Sequence, residues 1–336
     1  MFALNPAVAA ATALSLLSSI SHAQILPIDQ FFNLTTFPNE QSENVTRYLN
    51  EAADLATDRL IYQYFQDQCI TQQLYPKLFS FPPGFVEPFS PFENLFFVGH
   101  SFVSAWAYNT TAGLVLIDAL DNPSEIDAIL LPALAKFGFQ GADIKHVIIT
   151  HEHVDHYGGA KYLQDSFGPT IYASRAAWDA LAGLGPTADP LPPAEDAVVA
   201  DGDVLAFGGV DFEVVLTPGH TPGTLSLIFP VREGEAEHVA GLSGGTGTPA
   251  DAGARAQKVE SQYRFAAVAR ERGVDTLVSN HQVADHALFL ADLLAHRGAG
   301  KPNPFVVGVD NFERYMKING LCSRVIAARE GMDLHA

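Results

Sequence analysis

The segment THEHVDHYGG, Thr150 to Gly159, packs three of the chain's twelve histidines and one aspartate into six positions. It starts on the last residue of HVIIT, a short apolar run that reads as a buried strand. Neutral imidazole and carboxylate are the ligand types expected for zinc, at about 2.0–2.2 Å. On an extended strand His151, His153 and Asp155 would share one face and His156 the other. A tight turn running into a helix would bring all four together. Gly158-Gly159 would then let that helix approach the sheet closely. A polar loop with decorative histidines is the plainer alternative, but four potential ligands in six residues at a strand end favour a metal site. One segment cannot complete such a site, and two other strand ends supply more. VVLTPGHTPGT places His220 in a turn set by Pro218, Gly219, Pro222 and Gly223, and TLVSNH ends in His281.

The elements that must position these groups can be read from periodicity. From about residue 94 the chain alternates β-rich runs with amphipathic ones in two comparable batches. That pattern predicts an α/β fold with two sheets and helices outside, an αββα sandwich. NTTAG and Gly208-Gly209 read as hairpin turns. PSEIDAILLPALAKFGF reads as a helix capped by Ser124, with Gly138 near its end. Before this catalytic part (94–336) lies a different segment. Residues 24–93 combine a helical pattern, with Leu49, Ala53, Leu60 and Tyr64 on one face, and a Pro/Phe-rich connector, and we read them as a helical extension packed on the main body. Residues 1–23 are apolar and end in Ser21-His22-Ala23, the pattern of a cleaved secretory signal. The Ser-broken run is shorter than the ~20 residues that span a bilayer, so no stable membrane insertion is expected. Sequons at Asn33, Asn44 and Asn109 agree with export as a glycoprotein. Cys69 and Cys322 are the two cysteines; they either pair, tying the extension to the C-terminal helix, or stay as separate buried thiols.

The formal net charge is −19. Phosphate backbones bind mainly through Lys and Arg, so nucleic acid is an unexpected partner and a small-molecule substrate is expected. Oligomeric state is left open.

THEHVDH, TPGHTPG and the later SNH together resemble the metallo-β-lactamase superfamily, over roughly residues 94–330. The similarity is greatest to its third, His-rich subclass, with FVG at 97–99, LID at 116–118, DGD at 201–203 and SQYRFAAV as further supports. The resemblance implies a four-layer metallo-β-lactamase sandwich holding two zinc ions per chain. The first would sit on His151, His153 and His220, the second on Asp155, His156 and His281. Many members carry a bridging acid where this chain has Gly241-Leu242-Ser243; its absence fits the His-rich subclass, and Asp251 lies too far along to replace it.

Two cations ~3.5–4 Å apart can share a water and lower its pKa to near 7. Asp155 would orient the resulting metal-bound hydroxide for attack on a carbonyl, making it the catalytic residue. Asp118, at its own strand end, would hold a ligand in orientation from behind, unless it is an ordinary strand-end cap. Glu152 is expected to point away. His100, His146, His238, His286 and His296 are read as surface or core residues, with His286 the alternative to His281. Ser243 and Thr246 are candidates for contacting a substrate carboxylate. These features predict a secreted zinc hydrolase of a cyclic amide or ester, of β-lactam or lactone type. The alternatives are a thioesterase, glyoxalase-like enzyme or sulfatase on the same scaffold, or a non-catalytic zinc-containing binding protein.

Overall fold

The computed structural model describes residues 37–74 and 84–334. The expected leader, Asn33 and part of the Pro/Phe connector lie outside them. Two sheets form the centre. In the first, β1 (Leu95–Phe97), β2 (Trp106–Thr110), β3 (Gly113–Ile117), β4 (Ile144–Ile148), β5 (Thr170–Ser174) and β6 (Ala197–Val199) lie in chain order. Its first three strands are antiparallel and the rest join in parallel. In the second, β7 (Val204–Phe207), β8 (Val210–Leu216), β9 (Leu225–Glu233) and β10 (Ala236–Ser243) form an antiparallel meander, with β11 (Thr276–Ser279) added in parallel to β10.

Side-chain alternation explains the layering. On β3, Val115 and Ile117 enter the core between the sheets, while Leu114 and Leu116 face the outer helices. Phe212, Val214, Leu227 and Phe229 close the inter-sheet core from the other side, and Val215 and Ile228 turn the opposite way. Each sheet is thus apolar on both faces and needs a helical layer over it. The result is an αββα sandwich.

The helix over the first sheet runs from 123 to 136. Its cap is Asn122, whose side chain accepts from Glu125 N–H at 3.1 Å, with Pro123 in the first turn. Ser124 was expected there; Asn122 takes the role because proline has no N–H to cap. In the hairpin between β7 and β8, Gly208 and Gly209 both have positive φ, as a two-residue turn requires.

The N-terminal segment forms two helices, α1 (Ser42–Leu55) and α2 (Arg59–Gln66), the latter continuing through residue 74. Asp58 starts α2 by accepting from Leu60 N–H, which breaks the single helix-like pattern. The buried positions are Val45, Tyr48 and Ala52 on α1 and Ile61, Tyr64 and Phe65 on α2; Leu49, Ala53 and Leu60 are only half-buried. These residues share a core with α3 (Ala252–Glu271) and α4 (Val309–Arg329), the helices covering the second sheet. Cys69 and Cys322 form a disulfide across that packing. A cross-link closing so long a loop removes denatured-state entropy. The double substitution Cys69→Ser/Cys322→Ser is expected to lower stability by about 3 kcal/mol. Urea unfolding curves that coincide for variant and parent would contradict this.

Candidate metal centre

β4 ends at Ile148, and the chain leaves the sheet as a tight turn. His153 has extended backbone angles and precedes a single helical turn, Val154–Tyr157. That turn swings Asp155 and His156 back toward His151, the geometry a straight strand could not give. Gly158 and Gly159 permit it, because a Cβ on Gly158 would lie 1.8 Å from the Asp121 carbonyl and one on Gly159 2.3 Å from Ile126. The close approach is therefore to the loop and helix after β3, rather than to the sheet. His220 sits in the turn between β8 and β9, where Gly219 has φ of 132°. Glu152 points away from the ligand cluster and cross-links the two motifs: its carboxylate accepts from Thr221 Oγ1 at 2.7 Å and Gly223 N–H at 3.2 Å. His281 follows β11.

The structure brings six groups together. His151 Nε2 lies 3.2 Å from His153 Nδ1 and 3.1 Å from His220 Nε2. His156 Nε2 lies 3.1 Å from His281 Nε2, and Asp155 Oδ2 lies 3.3 and 3.4 Å from those two atoms. Tetrahedral zinc with bonds near 2.0–2.1 Å requires ligand atoms roughly 3.3 Å apart. The donor set and its spacing fit a metal. His151 also lies within reach of Asp155 and His156, so the two sets overlap and are consistent with one ion or two.

The outer ring nitrogens strengthen the fit. His156 Nδ1 donates to Asp118 at 2.8 Å, His220 Nδ1 to the Gly247 carbonyl at 2.8 Å, and His281 Nδ1 to the Phe102 carbonyl at 3.1 Å. His151 Nδ1 lies 3.2 Å from Thr150 Oγ1. Each such bond fixes the tautomer and turns the Nε2 lone pair inward, as a metal ligand needs. Burial, reinforced by Lys258, pushes His220 down to about 2; burial, with His156 beside it, pushes His281 down to about 4. Burial also lowers His151 well below the ordinary histidine range. Burial opposes charge on His156 too, but Asp118 and Asp155 outweigh it and hold its pKa up to about 10. Burial works against the Asp155 carboxylate, yet His156 outweighs it and holds Asp155 well below the usual range. In the absence of a metal, Asp118 at Nδ1 and Asp155 at Nε2 thus favour a second ring proton on His156.

Asp118 reaches this position through a left-handed backbone, φ 63°, at the end of β3. There it accepts from Thr150 N–H at 2.8 Å and Thr150 Oγ1 at 2.9 Å as well as from His156. Two further residues, Asn280 within the SNH stretch and Lys258, are not singled out by the sequence. Asn280 Nδ2 donates to Thr150 Oγ1 at 2.9 Å and to the Gly244 carbonyl at 2.8 Å, joining the ends of β4 and β10. Lys258, buried on α3, donates to the Gly247 carbonyl at 2.7 Å, the same oxygen that orients His220. Burial pushes its pKa down to about 7. Lys258→Met keeps the bulk and removes the donor, and is expected to weaken zinc binding about tenfold. Competition against a chromophoric chelator measures this; an affinity within twofold of the parent would show that the carbonyl holds its place unaided.

Thr246 lines the cavity over the ligands, together with Gly247 and Thr248, whereas Ser243 lies buried at the end of β10 and is not among its lining residues. Asp251 caps α3 by accepting from Ala254 N–H, away from the ligands. His286 is buried beside Tyr64 and Asp67. His146 stacks on Phe207, His238 pairs with Asp275, and His296 is exposed. His100 is buried beside Asp121 and Glu125. Its Nδ1 accepts from Phe102 and Val103 N–H, leaving Nε2–H to face Asp121, so it supports the loop that holds His281.

The profile of the metallo-β-lactamase superfamily matches residues 98–233. A subclass B3 metallo-β-lactamase of Bradyrhizobium japonicum is 26% identical, with a TM-score of 0.58, covering 69% of this chain and 90% of that one. A Cronobacter sakazakii metallo-β-lactamase is also 26% identical, with a TM-score of 0.59, covering 70% and 91%. A hydroxyacylglutathione hydrolase of Rhizobium etli is 33% identical over 112 residues, 33% of this chain. The matched stretch spans only 37% of that relative's length. The chain thus has the metallo-β-lactamase superfamily fold, with His-rich metal-binding triads consistent with a B3-like subclass. The fold and the clustered metal-binding residues support an enzyme-like, catalytic function. No helix among the described residues is long and apolar enough to cross a membrane.

Proposed function

We propose that the protein hydrolyses a small acyl thioester or ester. His151, His153 and His220 would hold one zinc ion and Asp155, His156 and His281 a second. The similarity to hydroxyacylglutathione hydrolases, 33% identical over 112 residues and 30% over 124, supports this reading. Zinc bound there would acidify a water and polarise the substrate carbonyl. The chain's own part is positional. Asp155, partly exposed at the cavity floor, accepts a hydrogen bond from the attacking water at Oδ and fixes its direction. Asp118 and the Gly247 and Phe102 carbonyls keep His156, His220 and His281 in the tautomer that presents Nε2. Phe102, whose ring contacts that of His281, shields one side of the cavity from water.

A second reading, opening of a β-lactam or lactone, is supported by the likeness to B3 lactamases and by β10 ending in Ser243 without an acid. The deciding experiment is a hydrolysis panel of thioesters, esters, lactones, chromogenic β-lactams and sulfate esters with zinc supplied. Thioesters or esters are expected to turn over fastest. A tenfold advantage of lactams or lactones would establish the second reading. Inactivity on every substrate, or activity untouched by a zinc chelator, would overturn the metal-dependent acyl-hydrolase reading. We also propose export into an oxidising compartment; the apolar first 23 residues and the Cys69–Cys322 disulfide support it.

A further inference from the structure

A cavity of about 480 Å³ lies over the ligand cluster, and one wall of it comes from the N-terminal segment, through Gln68 and Gln72. Five contacts pin that wall. Gln68 Nε2 donates to the Val283 carbonyl at 2.8 Å, two residues beyond His281. Cys69 is bonded to Cys322 on α4. Arg329, on the same helix, donates to the Cys69 carbonyl at 3.2 Å and to Gln73 Oε1 at 2.7 Å. Asp67 Oδ2 lies 3.1 Å from His286 Nε2. A turn held this firmly offers its polar groups without an ordering penalty. The Gln72 carboxamide makes no hydrogen bond to protein among the described residues, and it borders the cavity.

The side chains that the turn presents to the cavity, among the described residues, are the uncharged Gln68 and Gln72. No lysine or arginine is among the described residues lining the cavity. The nearby Lys258 is committed to the Thr246 and Gly247 carbonyls. A substrate carboxylate taken out of water against Gln68 and Gln72 would meet no cationic side chain among the described lining residues, a costly arrangement. A carboxamide, by contrast, offers a donor and an acceptor, which match an uncharged amide or carbonyl group.

We propose that the disulfide-tethered turn at residues 67–74 is a substrate-recognition wall, on which Gln68 and Gln72 hold an uncharged hydrogen-bonding group of the acyl compound while its scissile carbonyl lies over the metal ligands. This rests on the acyl-hydrolase reading above and specifies its substrate class.

The test compares two isosteric thioesters, the S-phenyl thioester of adipic acid monoamide and that of adipic acid, by thiophenol release from the zinc-loaded full chain. The wild type is expected to favour the neutral amide in kcat/KM. Gln72→Leu should raise KM for the amide about three- to tenfold, with kcat changing less and the zinc content that of wild type. Gln72→Arg should move the amide-to-acid preference about tenfold toward the acid. Gln68→Leu removes a buried bond and could disturb the fold, so the two Gln72 variants carry the decision. A wild-type preference for the acid, or a preference that both variants leave within twofold, would overturn this inference while leaving the hydrolase intact. Inactivity of the zinc-loaded wild type on both thioesters would remove the thioesterase reading and this inference with it.

Discussion

Asp155→Ala is expected to lower turnover about a thousandfold, within the range for losing a positioned proton-accepting group. Its Oδ2 stands 3.3 and 3.4 Å from His156 and His281 Nε2, so one side chain serves both as a ligand candidate and as the acceptor facing the cavity. Zinc content should fall by one equivalent, because the second triad keeps only two imidazoles. The fold should remain: the Asp155 side chain is partly exposed and lies outside the apolar core clusters. Steady-state assay, metal analysis and far-UV circular dichroism together separate these effects. Turnover within tenfold of the parent would show that the attacking water is oriented by some other group.

The second large effect is expected at Asp118. Asp118→Ala leaves Thr150 N–H and His156 Nδ1–H buried without an acceptor. Breaking a buried, hydrogen-bonded pair costs about 3 kcal/mol or more. Freeing the His156 ring should weaken zinc binding by about ten- to a hundredfold. The sign of the pH dependence follows from His156, whose pKa stands at about 10 against an ordinary 6.5. The folded, metal-free protein binds this proton more tightly than the unfolded chain does. Stabilisation from it is therefore complete below pH 6.5 and lost as pH rises through 10. Zinc competes with the same proton, so its affinity should climb with pH across that window. In Asp118→Ala both slopes should flatten. Chemical unfolding of the chelator-treated protein from pH 6 to 10 measures the first, and zinc titration the second. Slopes equal to those of the parent would assign the proton elsewhere.

The two sheets were legible because strand patterning is local. Alternation in GLVLI and LSLIF sends successive side chains to opposite faces wherever the strand lies. The helical extension was less legible, since one amphipathic stripe fits residues 45–64 about as well as two helices broken at Asp58. Only the packing against α4 selects Tyr48 and Ala52 over Leu49 and Ala53 as the buried face. Glu152, set aside as a base from its place between two histidines, proves to be a structural link to the His220 turn, a partner 69 positions away in sequence.

By itself the sequence determined which chemistry is available: four potential ligands crowded within six residues, and two more histidines at the ends of apolar strands. That much is local, because a ligand's identity and its place at a strand end depend on few neighbours. The tertiary structure decided how those groups face one another and what surrounds them. Asp118 behind His156, Lys258 behind the Gly247 carbonyl, Asn280 between two strand ends and the glutamine wall on its disulfide all come from segments far apart in the chain. Their contacts depend on helix rotation and layer packing, which local periodicity does not encode, and they are set only when the four layers close on one another.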